Sequence, residues 1–180
     1  MLEIYVPPSE MWSEKDMEFV YSKGQTLKLE HSLISISKWE SHYKKPFLNG
    51  KLKKDEVIYY TKCMTLNSGV EENTYYALTS DNIQKIQEYI DDPMTATVIH
   101  EYGNSNSRSS QFITSELIYY WMIANNIPFE CQKWHLNRLL MLIRVCSANQ
   151  QSNNKMSKKE TLNSYRTLNK ARREKMKSKG

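Results

Sequence analysis

An uninterrupted apolar run, LIYYWMIA at residues 117–124, constrains the fold more than any other stretch of the chain. Thr114 precedes the run as a potential N-cap, and Glu116 falls in the first turn, so the pattern predicts a helix. Eight consecutive apolar residues leave no polar face, which predicts a helix that is buried nearly all round. The run is far shorter than the roughly 20 residues that a transmembrane helix needs. We therefore expect a protein core around it.

A second helix is predicted directly after this run. Asn125-Asn126-Ile127-Pro128 has the composition of a turn, and residues 130–146 return to helical spacing. The short connection predicts an αα-hairpin, and we expect the core of the domain there. Six apolar residues of this second helix are predicted to face inward: Trp134, Leu139, Leu140, Leu142, Ile143 and Cys146.

Three earlier segments also have helical patterns. Residues 33–43 have apolar residues at helical spacing, and Pro46 would stop the helix. The β-branched residues in LISIS make a strand the alternative. Residues 53–66 have acids near their start and end at Asn67-Ser68-Gly69. Residues 79–90 begin with capping side chains and are predicted to place three isoleucines on one face: Ile83, Ile86 and Ile90.

The remaining apolar patterns alternate and predict strands. Residues 2–6 form one strand, residues 7–16 a turn region, and residues 17–23 and 25–30 a hairpin that bends at Gly24. Residues 94–102 are rich in β-formers, and with a short strand at 111–113 they would form a second hairpin around the polar loop 103–111.

These elements predict an α+β fold that is predominantly helical. A small N-terminal antiparallel sheet packs with a helical core that contains the central αα-hairpin, and a basic C-terminal helix follows. We expect a globular domain over residues 1–146, a polar linker over 147–157 and a basic helical tail over 158–180. The tail begins with Ser157-Lys158-Lys159-Glu160, which matches the capping box.

The distribution of charge also divides the chain between residues 146 and 147. Ten of the 25 Lys and Arg residues and two of the 20 acids fall within 147–180, which gives that segment +8 and leaves −3 for residues 1–146. A basic tail on a slightly acidic body predicts an interaction arm. A protein partner, a nucleic acid and a merely solubilising role all remain open. We predict that its contact residues are Lys158, Lys159, Leu162, Tyr165, Arg166, Leu168, Lys170, Arg172, Arg173 and Lys175.

No catalytic or metal motif emerges from the sequence. Three cysteines (Cys63, Cys131 and Cys146) without a CxxC pair predict a reducing compartment, and the N-terminal residues lack the pattern of a secretory signal. Cys131 and His135 have the i, i+4 spacing of two metal ligands, but no second pair completes a site, so we interpret them as a core cysteine beside a surface histidine.

Other candidate chemistry also has a structural interpretation. The remaining histidines, at positions 31, 42 and 100, are scattered, and no nucleophile motif or phosphate-binding loop accompanies them. The aromatic cluster Tyr119, Tyr120, Trp121 and Trp134 could stack bases, but its place within apolar helices favours the core. We therefore predict no cofactor, no metal and no enzymatic activity.

Five segments carry long, specific motifs: LKLEHSLISISKWE (27–40), YYTKCMTLN (59–67), DDPMTATVIHE (91–101), ITSELIYYWMIANNIPFECQKWHLNRLLMLIRVC (113–146) and KMSKKETLNSYRTLNKARREKMKSKG (155–180). Together they resemble a family of small proteins of tailed bacteriophages and prophages, encoded in tail-morphogenesis gene regions. The resemblance covers nearly the whole chain. In the family, more acidic residues commonly follow the segment that corresponds to FLNGK (47–51) than follow it in this chain. The region around 101–111 varies among the family's members.

The resemblance implies a tail assembly chaperone, which binds the tape measure protein and/or the tail-tube protein while the tail polymerises. Such a protein is expected in the host cytoplasm, absent from the finished virion and without cofactor or membrane contact. Self-association remains open. The alternatives are a virion structural protein of the neck or tail-completion type, and a nucleic-acid-binding protein that uses the basic tail. Truncation after Ala148 is expected to leave a folded domain with weakened partner binding.

Overall fold

The computed structural model describes residues 1–13, 17–50, 52–98, 112–153, 162 and 165–172. The fold is α+β and predominantly helical, as predicted. Its elements are β1 (Leu2–Val6), β2 (Ser9–Ser13), β3 (Glu18–Ser22), β4 (Gln25–Leu29), α1 (Leu33–Tyr43), α2 (Lys54–Met64), α3 (Glu72–Tyr76), α4 (Ser80–Asp91), α5 (Ser115–Ala124), a 3-10 turn (Phe129–Lys133), α6 (Leu136–Asn153) and α7 (165–172). Contacts divide the chain into two compact units, Met1–Arg144 and Val145–Gly180.

The strands pair differently from the prediction. Instead of a β3–β4 hairpin at Gly24, β1 pairs with β4 and β2 pairs with β3, both antiparallel. The predicted turn region 7–16 therefore contains a strand, β2. The prediction was wrong because Pro7-Pro8 were taken as the end of the strand region. The chain resumes an extended conformation beyond the two prolines, and alternation within single segments does not reveal which strands become partners.

Three helices begin directly after a side chain that caps their first turn. Thr79 caps α4 by accepting a hydrogen bond from the backbone of Asn82, and Thr114 caps α5 in the same way. Ser32 caps α1 through the backbone of Ser35, so residues 33–43 form a helix despite their β-branched residues. A side-chain oxygen at the N-cap satisfies an amide that has no partner within the helix.

The core of the first unit forms around α1. Leu33, Ile36 and Trp39 are fully buried, and α1 lies against α2, α5 and the 3-10 turn. Further fully buried side chains come from the β1–β4 pair and from the helices on either side: Val6, Leu27, Leu29, Met64, Ile118, Met122, Leu136 and Leu139. Helix α5 and the start of α6 thus contribute to this core. The helix predicted to begin at residue 130 begins instead at Leu136, because a 3-10 turn at Phe129–Lys133 follows α5.

A buried carboxylate joins two of these helices. Glu40 of α1 accepts hydrogen bonds from the backbone amide of Phe47 at 2.9 Å and from that of Ser115 at 2.7 Å. Ser115 is the first residue of α5, whose N-terminal amides favour a negative charge. Glu40 therefore compensates for its own burial by satisfying two backbone donors.

Several local predictions were wrong. Residues 94–98 and 112–113 are not strands, and the rest of the predicted second hairpin lies outside the described residues. The short helix α3 was not predicted. Residues 147–153, where a polar linker was expected, continue α6, and 154–157 lie outside the described residues. On α4, Ile86 and Tyr89 are buried whereas Ile83 is 41% exposed, so the buried face is rotated from the expected isoleucine face.

Candidate functional site

The described part of the predicted binding tail is exposed. Leu162, Tyr165 and Leu168 are 57%, 63% and 50% exposed, and every residue of α7 is in the exposed class. Arg166, Lys170 and Arg172 belong to α7, and the four other predicted contact residues lie outside the described residues: Lys158, Lys159, Arg173 and Lys175.

Helix α7 is amphipathic by position. Tyr165 and Leu168 are three residues apart and lie on one face, while Arg166 and Lys170 are four apart and lie beside that face. Arg172 follows Leu168 by one turn and adds a cation at the end of the apolar stripe. The stripe and its cations can together contact an apolar surface with acidic neighbours.

Two histidines in the first unit also form a cluster, and sequence reasoning missed it. His31 and His135 are only 2% and 6% exposed, and their ring centroids lie 5.0 Å apart. The prediction of a surface histidine at position 135 was therefore wrong. Periodicity could not reveal the pair, because residue 31 precedes α1 and residue 135 precedes α6, where no helical face is yet defined.

Hydrogen bonds fix both rings. Nδ1 of His31 contacts the Tyr60 hydroxyl, and Nε2 of His135 donates to the carbonyl oxygen of Tyr89 at 2.9 Å. The Tyr89 hydroxyl donates to Glu30 at 2.6 Å, and the other oxygen of Glu30 lies 3.0 Å from the N-terminal amine. The backbone amide of Leu136 donates to the backbone carbonyl oxygen of His31 at 2.8 Å. The cluster thus connects the end of the sheet to α2, α4 and α6.

The electrostatics favour the neutral forms of three groups in this cluster: His31, Tyr60 and Tyr89. Burial, followed by the neighbouring His135, lowers the pKa of His31 to about 3. Burial raises the pKa of Tyr60 well above its ordinary value, and burial together with the Glu30 hydrogen bond raises the pKa of Tyr89. A shielded His31 ring that stays neutral suits a structural contact within the core.

Within the described residues, Cys131 and His135 do not belong to a group of side chains that could hold a metal ion. Cys131 is buried, and the nearby His135 uses Nε2 for the Tyr89 carbonyl. No group of three His, Cys, Asp or Glu side chains within the described residues could hold a metal ion. Burial raises the pKa of Cys63 to about 11, so that thiol is a poor nucleophile.

None of the four aromatic residues interpreted as core is fully buried, and Tyr119 and Trp121 are half-buried. Tyr120 is 63% exposed, and Trp134 is 37% exposed with the Arg138 guanidinium 4.6 Å from its ring centroid. The structure also exposes aromatics that the sequence did not single out, Trp12, Phe19 and Tyr21 on β2 and β3. Side chains at alternate positions of a strand lie on the same face, but the sequence pattern does not show which face other residues cover.

None of the helices in the described ranges is both long and apolar enough to cross a membrane. Comparisons with family models, with curated proteins and with solved structures gave no match.

Proposed function

We propose that this chain is a non-enzymatic assembly protein of a tailed bacteriophage, a tail assembly chaperone that binds the tape measure protein and/or the tail-tube protein in the host cytoplasm. One observation carries the proposal beside the sequence resemblance: the exposed apolar stripe of Leu162, Tyr165 and Leu168 lies next to cations in the tail.

The tail has the chemistry of a helix that completes its packing on a partner. A helix that buries little apolar surface is marginal by itself in water, and every described residue of α7 is exposed. A partner that covers the stripe would supply the missing apolar contacts, as in helix-in-groove recognition. Arg166 and Lys170 would then meet acidic side chains at the rim of the contact.

The chemistry of the first unit supports a binding role over catalysis. Both histidines of the pair are buried, burial lowers the pKa of His31, and burial raises the pKa of the Cys63 thiol. A chaperone needs neither group, because it acts by covering apolar surface on a partner that would otherwise aggregate.

The binding test uses the full chain with the tape measure protein as the captured partner. The double variant Leu162→Ser/Leu168→Ser is expected to lose at least about tenfold in affinity, because it removes apolar anchors from the contact. Ile123→Ser is the matched control, since Ile123 is 60% exposed on α5 in the other unit. Equal capture by the double variant and the control would overturn the tail contact.

Quantitative mass spectrometry separates the chaperone from a structural protein of the neck or tail-completion type. A chaperone is abundant in infected-cell lysate and missing from purified particles. A stoichiometric amount in the particles would replace the proposal with the structural alternative.

A nucleic-acid role is a second candidate because three exposed cations, Arg166, Lys170 and Arg172, accompany Tyr165 on α7. That role predicts an affinity for DNA or RNA that falls steeply with salt and disappears with the tail cations. Capture of a protein partner that is lost in Leu162→Ser/Leu168→Ser, without measurable affinity for DNA or RNA, would favour the chaperone instead.

A further inference from the structure

Asn49-Gly50 is the only Asn-Gly pair in the chain. Glycine carries no Cβ, so its backbone nitrogen can approach a group that a larger residue would keep away. In an Asn-Gly pair, that group is the side-chain amide of the asparagine itself. Attack of the glycine nitrogen on the amide carbon closes a five-membered ring. The chain therefore contains one residue pair whose backbone can modify its own side chain without an enzyme.

The structure leaves this pair unrestrained. Leu48 and Asn49 form the middle of a turn, and both Asn49 and Gly50 are exposed. The Asn49 side chain makes no hydrogen bond with any residue that the structure describes. Apart from the adjoining residues, no described atom lies within 4 Å of the position that a Cβ on Gly50 would occupy. The Asn49 amide can therefore rotate toward the Gly50 nitrogen without first breaking a hydrogen bond.

A second asparagine shows the opposite arrangement. Asn67 also precedes a small residue, Ser68, but hydrogen bonds hold both ends of its amide. Its Oδ1 accepts from the backbone amide of Lys28 at 2.7 Å, and its Nδ2 donates to the carbonyl oxygen of Thr26 at 3.1 Å. Both partners belong to β4. The Asn67 amide therefore turns toward the Ser68 nitrogen only when two hydrogen bonds break.

Hydrogen bonds also hold the main chain on both sides of the reactive pair. The backbone amide of Phe47 donates to Glu40 at 2.9 Å, and that of Lys53 donates to Glu56 at 3.0 Å. Glu40 and Glu56 are both buried. A covalent change at Asn49 therefore lies between two fixed points of the main chain, and the core can keep its packing.

We propose that Asn49-Gly50 is a site of spontaneous modification that the folded protein tolerates. The Gly50 backbone nitrogen forms a bond to Cγ of Asn49, and the bond between Cγ and Nδ2 breaks. Nδ2 leaves as ammonia and takes the proton that the Gly50 amide loses. Water then opens the cyclic imide at one of its two carbonyl carbons, which gives aspartate or isoaspartate. Each product adds a negative charge, and isoaspartate also adds a methylene to the main chain.

The test incubates the full chain in mildly alkaline buffer, in which the backbone amide loses its proton more readily. Samples are digested in acid, which suppresses further ring closure, and the peptides are identified by mass spectrometry. The aspartate and isoaspartate forms are expected to replace the original peptide that contains Asn49. An isoaspartate-specific methyltransferase should label only the isoaspartate form. The peptide that contains Asn67 should stay unchanged in the same sample.

Two variants separate the effect of the fold from that of the local sequence. Ser68→Gly changes an exposed residue and gives Asn67 the same neighbour that Asn49 has. In the folded variant, Asn67 should still react severalfold more slowly than Asn49, whereas in denaturant the two should react at similar rates. Gly50→Ala has room for its methyl group and should slow the change at Asn49 severalfold. Equal rates at Asn49 and Asn67 in folded Ser68→Gly would overturn the structural argument.

Two further outcomes would refute the proposal. An Asn49 that reacts in denaturant but stays intact in the folded chain would show that the fold protects it. Asn49→Asp reproduces one product, and its Tm should lie within about 2 °C of that of the unmodified chain, because Phe47 and Lys53 keep their hydrogen bonds. A much lower Tm would mean that the folded protein does not tolerate the change.

Discussion

At the scale of single residues, burial decides the chemistry of His31. A buried imidazole is destabilised in its charged form, and the His31 ring also faces the His135 ring at 5.0 Å. The rings keep their places because His31 contacts the Tyr60 hydroxyl and His135 donates to the Tyr89 carbonyl. Nδ1 of His135 is buried without a hydrogen-bond partner, which adds to the cost of this arrangement.

The His31 pKa predicts loss of stability in mild acid. Because the folded-state pKa of about 3 lies below the ordinary 6.5, the fold stabilises the neutral ring. That contribution is complete above pH 6.5 and is lost as the pH falls from 6.5 toward 3. Between about pH 7 and pH 5, this one group should lower the free energy of unfolding by about 2 kcal/mol.

Denaturant unfolding at the two pH values measures this effect. His31→Gln should flatten the loss between pH 7 and pH 5, since it removes the titrating group. His42→Gln, at an exposed histidine, should retain the full loss. An unchanged pH dependence in His31→Gln would assign the acid sensitivity to other groups.

At the scale of elements, α5 shows how an apolar run can be only partly buried. Ile118 and Met122 are fully buried, four residues apart on the face toward the core, while Tyr120 and Ile123 are exposed. One helix in contact with one core buries only about one face. The run 117–124 therefore predicted the helix correctly but overstated its burial.

Matched alanine variants of α5 test this division. Ile118→Ala should lower the free energy of unfolding by about 2–5 kcal/mol, because it leaves a cavity among fully buried neighbours. Ile123→Ala makes the same chemical change at a residue that is 60% exposed and should cost less than about 0.5 kcal/mol. Similar losses for both variants in chemical denaturation would contradict the one-sided burial of α5.

At the scale of the whole molecule, charge and core belong to different parts of the chain. The buried apolar residues of the described structure all lie at or before Ile143, whereas residues 147–180 carry +8. The first unit, Met1–Arg144, therefore contains the described core, and the second contains the basic segment.

Truncation tests this separation. Because α6 continues to Asn153, we place the truncation there rather than after Ala148, which would cut the helix. Removal of residues 154–180 should change the Tm by less than about 2 °C, since no described buried apolar residue is lost. Truncation after Arg138 removes the fully buried Leu139 and should prevent cooperative unfolding. If the fragment 1–153 had a much lower Tm than the full chain, residues 154–180 would stabilise the core.

The sequence by itself determined the features that depend on neighbouring residues. Apolar spacing and side-chain caps located α1, α4 and α5, and the charge count marked the basic tail, because helix hydrogen bonds and caps join residues only a few positions apart. Tertiary structure decided the rest. Three features each depend on residues far apart in the chain: the pairing of β1 with β4, the contact of His31 with His135 and the exposure of Trp12, Phe19 and Tyr21. Local periodicity does not show which distant residues come together.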